Sequence, residues 1–248
     1  VAGIAAGKGE SFSGVAPDAA LIAIQVFSQF NATQCSSSVP CAKSYPSDQI
    51  KGLERIYELR TTYPIAAVNM SLGSGKYTSP CDGDPRKPII DQLRAAGIVT
   101  VIAAGNSYYS DALGAPACIS SAISVGSTGD GSGGAEVDVV SYFSNSASFL
   151  TLLAPGSVIT SALAGGGFIT MNGTSMAAPH VAGAWAVLKS KKPDATIDEV
   201  QAALVNTGRP VVDERNGLTK PRIQVDQALL ALPTPELTEK IYFPQIYN

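Results

Sequence analysis

The stretch Met171-Asn172-Gly173-Thr174-Ser175-Met176-Ala177-Ala178-Pro179-His180-Val181-Ala182-Gly183 brings hydroxyls, an imidazole and glycines together. Gly173, just before the hydroxyls, permits a backbone turn that a Cβ would obstruct. The small and apolar residues that follow read as a helix, which sets Ser175 at its amino end. A serine there sits beside unpaired N–H groups and the positive end of the helix dipole, a favourable place for a developing oxyanion. Taken alone, Gly-Thr-Ser reads more simply as an N-cap, the commonest role of a hydroxyl at a helix start. The nucleophile reading therefore needs more parts: a base, a group to orient it, and oxyanion donors.

Two upstream segments bear on this. Val101-Ile102-Ala103-Ala104-Gly105-Asn106-Ser107 is an apolar run ending on an asparagine. The Asn106 side-chain amide can donate to an oxyanion, with the Ser175 backbone N–H as a second donor. By itself, Gly-Asn reads as a turn. Asn69-Met70-Ser71-Leu72-Gly73 ends a second such run. The string Gly-Thr-Ser-Met-Ala-Ala-Pro-His-Val-Ala-Gly then resembles the nucleophile segment of the subtilisin-like serine peptidases. The two upstream segments resemble that family's substrate strand and the strand end carrying its oxyanion-hole asparagine. Gly14-Val15-Ala16-Pro17-Asp18-Ala19-Ala20-Leu21 is also typical of the family, and the resemblance runs from Val1 to about Leu232.

The resemblance implies a serine endopeptidase that forms an acyl-enzyme on Ser175 with Asn106 in the oxyanion hole. It implies extended peptide or protein substrates lying on Ser71, Leu72 and Gly73 and on Ala103, Ala104 and Gly105. Backbone recognition of that kind is β-augmentation, which reads main chain and favours broad specificity. Such chemistry requires no cofactor. Family members often bind structural calcium, but no acidic loop here assigns ligands to one, and no metal ligand is named.

The base is the difficulty. The chain has one histidine, His180, five residues beyond Ser175. On a helix, five residues rotate it by about 140° and raise it by about 7.5 Å, so it cannot bond the serine hydroxyl. In the resembled family the catalytic histidine lies in a His-Gly-Thr-His segment directly before the position of Val1, and the aspartate lies earlier still. Neither has a counterpart here, so the chain reads as an N-terminally truncated peptidase that is inactive alone. A non-catalytic peptide-binding or structural relative is the alternative.

Composition narrows the remaining classes. Charged residues make up 15% of the 248 residues and the net charge is −3, which gives no footprint for nucleic acid. No apolar run reaches the roughly 18 residues of a membrane span. Gly165-Gly166-Gly167 lacks the strand and helix flanks of a dinucleotide fingerprint. The even count of 4 cysteines, in loop-like surroundings, suits an oxidised, secreted protein, and a monomer is expected. Cys35 with Cys41 and Cys81 with Cys118 are the pairs we expect, since the first closes a short loop; three connectivities are open by counting.

The elements that must position these residues follow from hydrophobic runs and breakers. Ala19 to Phe27, Ile65 to Leu72, Ile98 to Ala104, Ala122 to Gly126 and Leu150 to Leu153 read as buried strands. Helices are expected from a Ser47 cap to about Thr62, from Pro88 to Ala96, from after Thr170 to Lys191, and from a Thr196/Glu199 capping box to about Asn206. Strands alternating with helices predict an α/β fold: a three-layer, mostly parallel sheet with helices on both faces. One peptidase domain spans 1–232, and 233–248 reads as a linker or the start of a further module. Sequons occur at Asn31, Asn69 and Asn172; the last two lie inside the motifs above, and we read them as chance matches. In the resembled family a strand lies between those corresponding to Ala19–Phe27 and Ile65–Leu72. Without it the chain is expected to fold poorly by itself.

Overall fold

A computed structural model describes residues 1–10, 12–31, 35 and 39–232 of the chain. The expected tail, 233–248, lies outside the described residues. In chain order the elements are α1 (Ala2–Ala6), β1 (Ser28–Phe30), β2 (Cys41–Lys43), α2 (Pro46–Leu59), β3 (Ala67–Met70), β4 (Ser74–Tyr77) and α3 (Lys87–Ala95). There follow β5 (Val99–Ala103), β6 (Leu113–Ala115), β7 (Ile123–Thr128), β8 (Leu152–Pro155), β9 (Ile159–Ala162) and β10 (Phe168–Met171). The last are α4 (Thr174–Lys191), α5 (Ile197–Asn206), β11 (Arg209–Asp213), β12 (Leu218–Arg222) and α6 (Val225–Ala231).

The central sheet runs β11-β12-β8-β7-β5-β3. Strands β3, β5, β7 and β8 are mutually parallel, with Met70 opposite Ile102, Ala103 opposite Val125, and Val125 opposite Leu152. Every residue of β5 and β7 is buried. Parallel strands covered on both faces are buried in this way, and here Thr100, Ser124, Ser127 and Thr128 are buried beside the apolar residues. Only β11 is antiparallel, paired to β12.

One face is covered by α4, whose Val181, Trp185 and Leu188 are fully buried with Val99, Val101, Val125 and Leu152 of the sheet. The small residues Ala177, Ala178 and Ala184 let this helix lie close to the strands. The opposite face carries α2 and α3 through Leu53, Ile89, Ile90 and Leu93 against Val68, Met70 and Ile102. The expected three-layer α/β architecture is the one observed. The Thr196/Glu199 capping box is formed, and disulfides join Cys35 to Cys41 and Cys81 to Cys118.

Three local expectations need correction. Ser47 does not cap α2: the N-cap is Tyr45, with Pro46 in the first turn. Proline suits that place because its φ is already helical and its missing N–H would have been unpaired anyway. Two antiparallel pairs, β4 with β6 and β9 with β10, form in stretches for which the sequence predicts no element. The β9–β10 hairpin turns through Gly165, Gly166 and Gly167, all at positive φ.

The third correction is larger. Ala19 to Phe27 is not a strand; Leu21 is 57% exposed and Ile22 43%. The reason is geometric. The nearest sheet edge is β3, and a cleft of about 270 Å³ lies between, with Ile24, Val26 and Phe27 on one side, Val68 and Met70 on the other, and Leu53 also lining it. Neighbouring strands must come within about 5 Å to share hydrogen bonds, and this segment does not pair with β3. An unpaired strand edge beside an apolar cleft is a template for association. The isolated chain is therefore expected to melt broadly and to aggregate on heating. A single sharp, reversible transition by circular dichroism would contradict this.

Candidate active site

The site forms where the carboxyl ends of β3 and β5 meet the amino end of α4. Parallel strands deliver both ends to the same side of the sheet, so residues 71, 106 and 175 converge. The chain enters α4 from the β9–β10 hairpin through Gly173, whose φ of 154° is favoured only for glycine. A Cβ at Gly173 would lie 3.3 Å from Asn106 Nδ2, in the space before the amide.

The first turn of α4 leaves N–H groups with no intrahelical acceptor. The Thr174 N–H donates to Asn106 Oδ1 at 2.9 Å, and the Thr174 hydroxyl donates to the same oxygen at 2.8 Å. A backbone N–H can only donate, so the atom facing it must be the amide oxygen. That fixes the side-chain orientation and leaves Nδ2 on the side facing Gly173. Thr174 Oγ1 in turn accepts from the Gly105 N–H at 3.1 Å. The Met176 N–H is taken by the Gly173 carbonyl at 2.9 Å. The Ser175 N–H lies between these two as the helical donor available for a ligand's oxygen. Ser175 is half-buried and Asn106 exposed, so both are open to solvent.

Pro179 explains a further contact. In an α-helix the N–H of residue 179 would donate to the carbonyl of residue 175, but proline has none. The freed Ser175 carbonyl accepts instead from the Ser71 hydroxyl at 2.8 Å. Asn69 Nδ2 donates to that same hydroxyl at 3.0 Å. The Ser175 hydroxyl itself lies 3.4 Å from the Ser71 carbonyl, a long contact. Thus the segment after β3 is clasped to the first turn of α4.

The two segments expected from the sequence to hold a peptide differ in their surroundings. Leu72 and Gly73 are half-buried and exposed, beyond the last β3–β5 pair at Met70 and before the first β4–β6 pair at Ser74. Ala104 and Gly105 use their main chain internally. The Ala104 N–H donates to Val125, the Ala104 carbonyl accepts from Gly114, and the Gly105 carbonyl accepts from the Asn145 N–H. Ala103 and Ala104 are buried, and the main chain of this segment is engaged within the fold.

His180 is engaged elsewhere. Its Nδ1 lies 2.9 Å from the Met176 carbonyl, and no hydrogen bond joins it to Ser175 or to a carboxylate among the described residues. Burial pushes the imidazole below its ordinary value, against the raising effect of the Met176 and Pro155 carbonyls. A neutral ring with its proton on Nδ1 fits this position. Among the described residues no group of three or more His, Cys, Asp or Glu could hold a metal, and no helix is long and apolar enough to cross a membrane. In the sequence Thr174 reads as a cap at most, and its latch on Asn106 has no signal there beyond the hydroxyl itself.

Comparison with known proteins places this geometry. The family model described as the subtilase family matches residues 1–224. The chain is 35% identical over 197 residues to subtilisin of Bacillus pumilus, covering 78% of this chain and 62% of that protein. It is equally similar, at 35% over 197 residues and 78% of this chain, to subtilisin E of Bacillus subtilis (strain 168), covering 45% of it. The chain thus spans less than two thirds of these relatives. A crystal structure of a cold adapted subtilisin-like serine proteinase superposes with a TM-score of 0.62 at 31% identity, covering 73% of this chain and 61% of that one.

Two outcomes follow from these contacts. Ser71→Ala should destabilise the folded protein by about 1 kcal/mol, the net worth of one hydrogen bond. Pro179→Ala should offset part of that loss in the Ser71→Ala background, because an alanine in place of the proline restores a donor to the Ser175 carbonyl. Denaturant unfolding of the four variants checks both. His180, whose folded value lies below its ordinary 6.5, contributes stability that is complete above that pH and is lost as pH falls. Its C2–H resonance, unique in this chain, should titrate with a midpoint below 6.5.

Proposed function

The chain belongs to the subtilase family, and from that premise we propose that it is the nucleophile-bearing part of a secreted serine endopeptidase. Ser175 attacks the peptide carbonyl and forms the acyl-enzyme. Asn106 Nδ2 and the Ser175 N–H receive the oxyanion of the tetrahedral intermediate. The observation that carries this reading is the double donation from Thr174 to Asn106 Oδ1, which aims the amide's donors at the helix start where Ser175 lies. An asparagine serving only a turn would not need its orientation set from 68 residues away.

An extended peptide lies along Ser71, Leu72 and Gly73, with Ala103, Ala104 and Gly105 as the adjoining wall. The close approach of main chain to main chain leaves specificity broad. The base and the carboxylate that orients it come from residues outside this sequence, since His180 is bound to Met176. The peptidase domain covers 1–232, acts as a monomer and requires no cofactor for its chemistry. Its two disulfides support an extracellular setting.

Loss of the histidine alone costs about 10⁶ in turnover, a figure known from subtilisin, a member of this same family. The 248-residue chain should therefore show negligible labelling of Ser175 by a peptide phosphonate. The natural gene product that includes it should be labelled at Ser175 and should cleave casein. There Ser175→Ala should abolish labelling, and Asn106→Leu should lower kcat by about 10²–10³, again a magnitude known from subtilisin. If the natural gene product leaves Ser175 unlabelled, the non-catalytic peptide-binding reading replaces this one.

A further inference from the structure

Asn106 is set by more than Thr174. Asn145 lies outside every segment that the sequence marks for chemistry, and it is 1% exposed. All of its amide's hydrogen-bonding atoms are aimed at the loop that carries Asn106. Its Nδ2 donates to the Ala104 carbonyl at 3.0 Å. Its Oδ1 accepts from the Ser107 N–H at 2.9 Å and from the Tyr109 N–H at 3.2 Å. Its own backbone N–H donates to the Gly105 carbonyl at 2.9 Å. The oxygen faces two backbone N–H groups and the nitrogen faces a carbonyl, so only one amide orientation satisfies the set.

The loop is shaped to receive this side chain. Gly105 has a φ of 108°, and a Cβ there would stand 2.3 Å from Asn145 Nδ2. Tyr108, a non-glycine residue, sits at a φ of 61°. Its N–H is held by the Phe143 carbonyl at 3.0 Å. A residue keeps such a conformation only where its surroundings over-determine it. Residues 143–146 therefore grip residues 104, 105, 107, 108 and 109, bracketing Asn106 on both sides without bonding Asn106 itself.

We infer that Asn145 is the positioning residue for the oxyanion-hole asparagine: its buried amide, wedged against Gly105, fixes the backbone on both sides of Asn106. Thr174 fixes the rotation of the Asn106 amide, and Asn145 fixes where its Cα stands. Preorganised donors stabilise an oxyanion only if they need not move when charge develops. The inference rests on the proposed role of Ser175 and Asn106.

The test uses the natural gene product and a peptide boronic acid. Ser175 Oγ adds to boron and gives up its proton to the enzyme's base, and one boron-bound oxygen occupies the oxyanion position. Binding is read by calorimetry and needs no turnover. Asn145→Ala should weaken it by about tenfold, on the order of one lost hydrogen bond. Asn106→Ala should weaken it at least as much, and the double variant should bind no worse than Asn106→Ala alone, because both act through one donor. Independent, multiplying effects would overturn the inference, as would wild-type affinity in Asn145→Ala.

Asn145→Asp keeps the side-chain shape if alanine does not fold. Its protonated carboxyl can donate to the Ala104 carbonyl and still accept from the two N–H groups, whereas the ionised form cannot donate. Its affinity relative to wild type should approach one at low pH and fall as pH rises. A ratio flat with pH would mean that the position acts by packing alone, against the proposal. Boronate binding unaffected by Ser175→Ala would instead remove the nucleophile reading on which the inference stands.

Discussion

The amino end of α4 is set against the sheet, and its first N–H groups must find acceptors there. Everything at the site follows from how that requirement is met. Thr174 gives its N–H and its hydroxyl to Asn106, Met176 gives its N–H to Gly173, and Ser175 is left between them. A helix dipole converges on the same point. Because α4 is packed in the core with the sheet from Ala177 to Leu188, its start cannot shift without disturbing the main core.

The interior proline turns a local defect into a tertiary contact. Pro179 withholds a helical donor from the Ser175 carbonyl, and the Ser71 hydroxyl, 104 residues away in sequence, supplies one. The same residue thus ties the segment after β3 to the first turn of α4. Close approach is the other device. Gly173 keeps the space before the Asn106 amide open, and Gly105 lets the Asn145 amide reach the loop behind it. At both places a side chain would fill the space that the chemistry or its support uses.

The sheet is strongest at its centre and weakest at β3. Strands β5 and β7 are buried along their whole lengths, whereas β3 is half-buried and ends the sheet. Ile24, Val26 and Phe27 face that edge across an apolar cleft. The site therefore stands partly on an edge strand, and Ser71, its contact with Ser175, leaves directly from that strand. Order at β3 and order at the start of α4 are linked through the Ser71 hydroxyl.

Much of this was legible in the residues alone. The largely apolar run of β5, the capping box of α5 and the glycine before Ser175 each have a local cause, and each appears where the sequence places it. Ser175, Asn106 and Ser71 stood out through the longer strings around them, since a serine at a helix start or an asparagine after glycine is ordinary by itself. The run from Ala19 to Phe27 misled because apolar composition says that a segment seeks burial, not that a partner strand stands beside it. Thr174's latch on Asn106, the clasp of Ser71 on the Ser175 carbonyl and the grip of Asn145 on its loop could not be read. Each joins residues tens of positions apart, and a serine, threonine or asparagine carries no mark of which distant backbone group it will meet. Local sequence determined the elements and the reactive groups; only the tertiary fold decided which hydrogen bonds hold those groups in register.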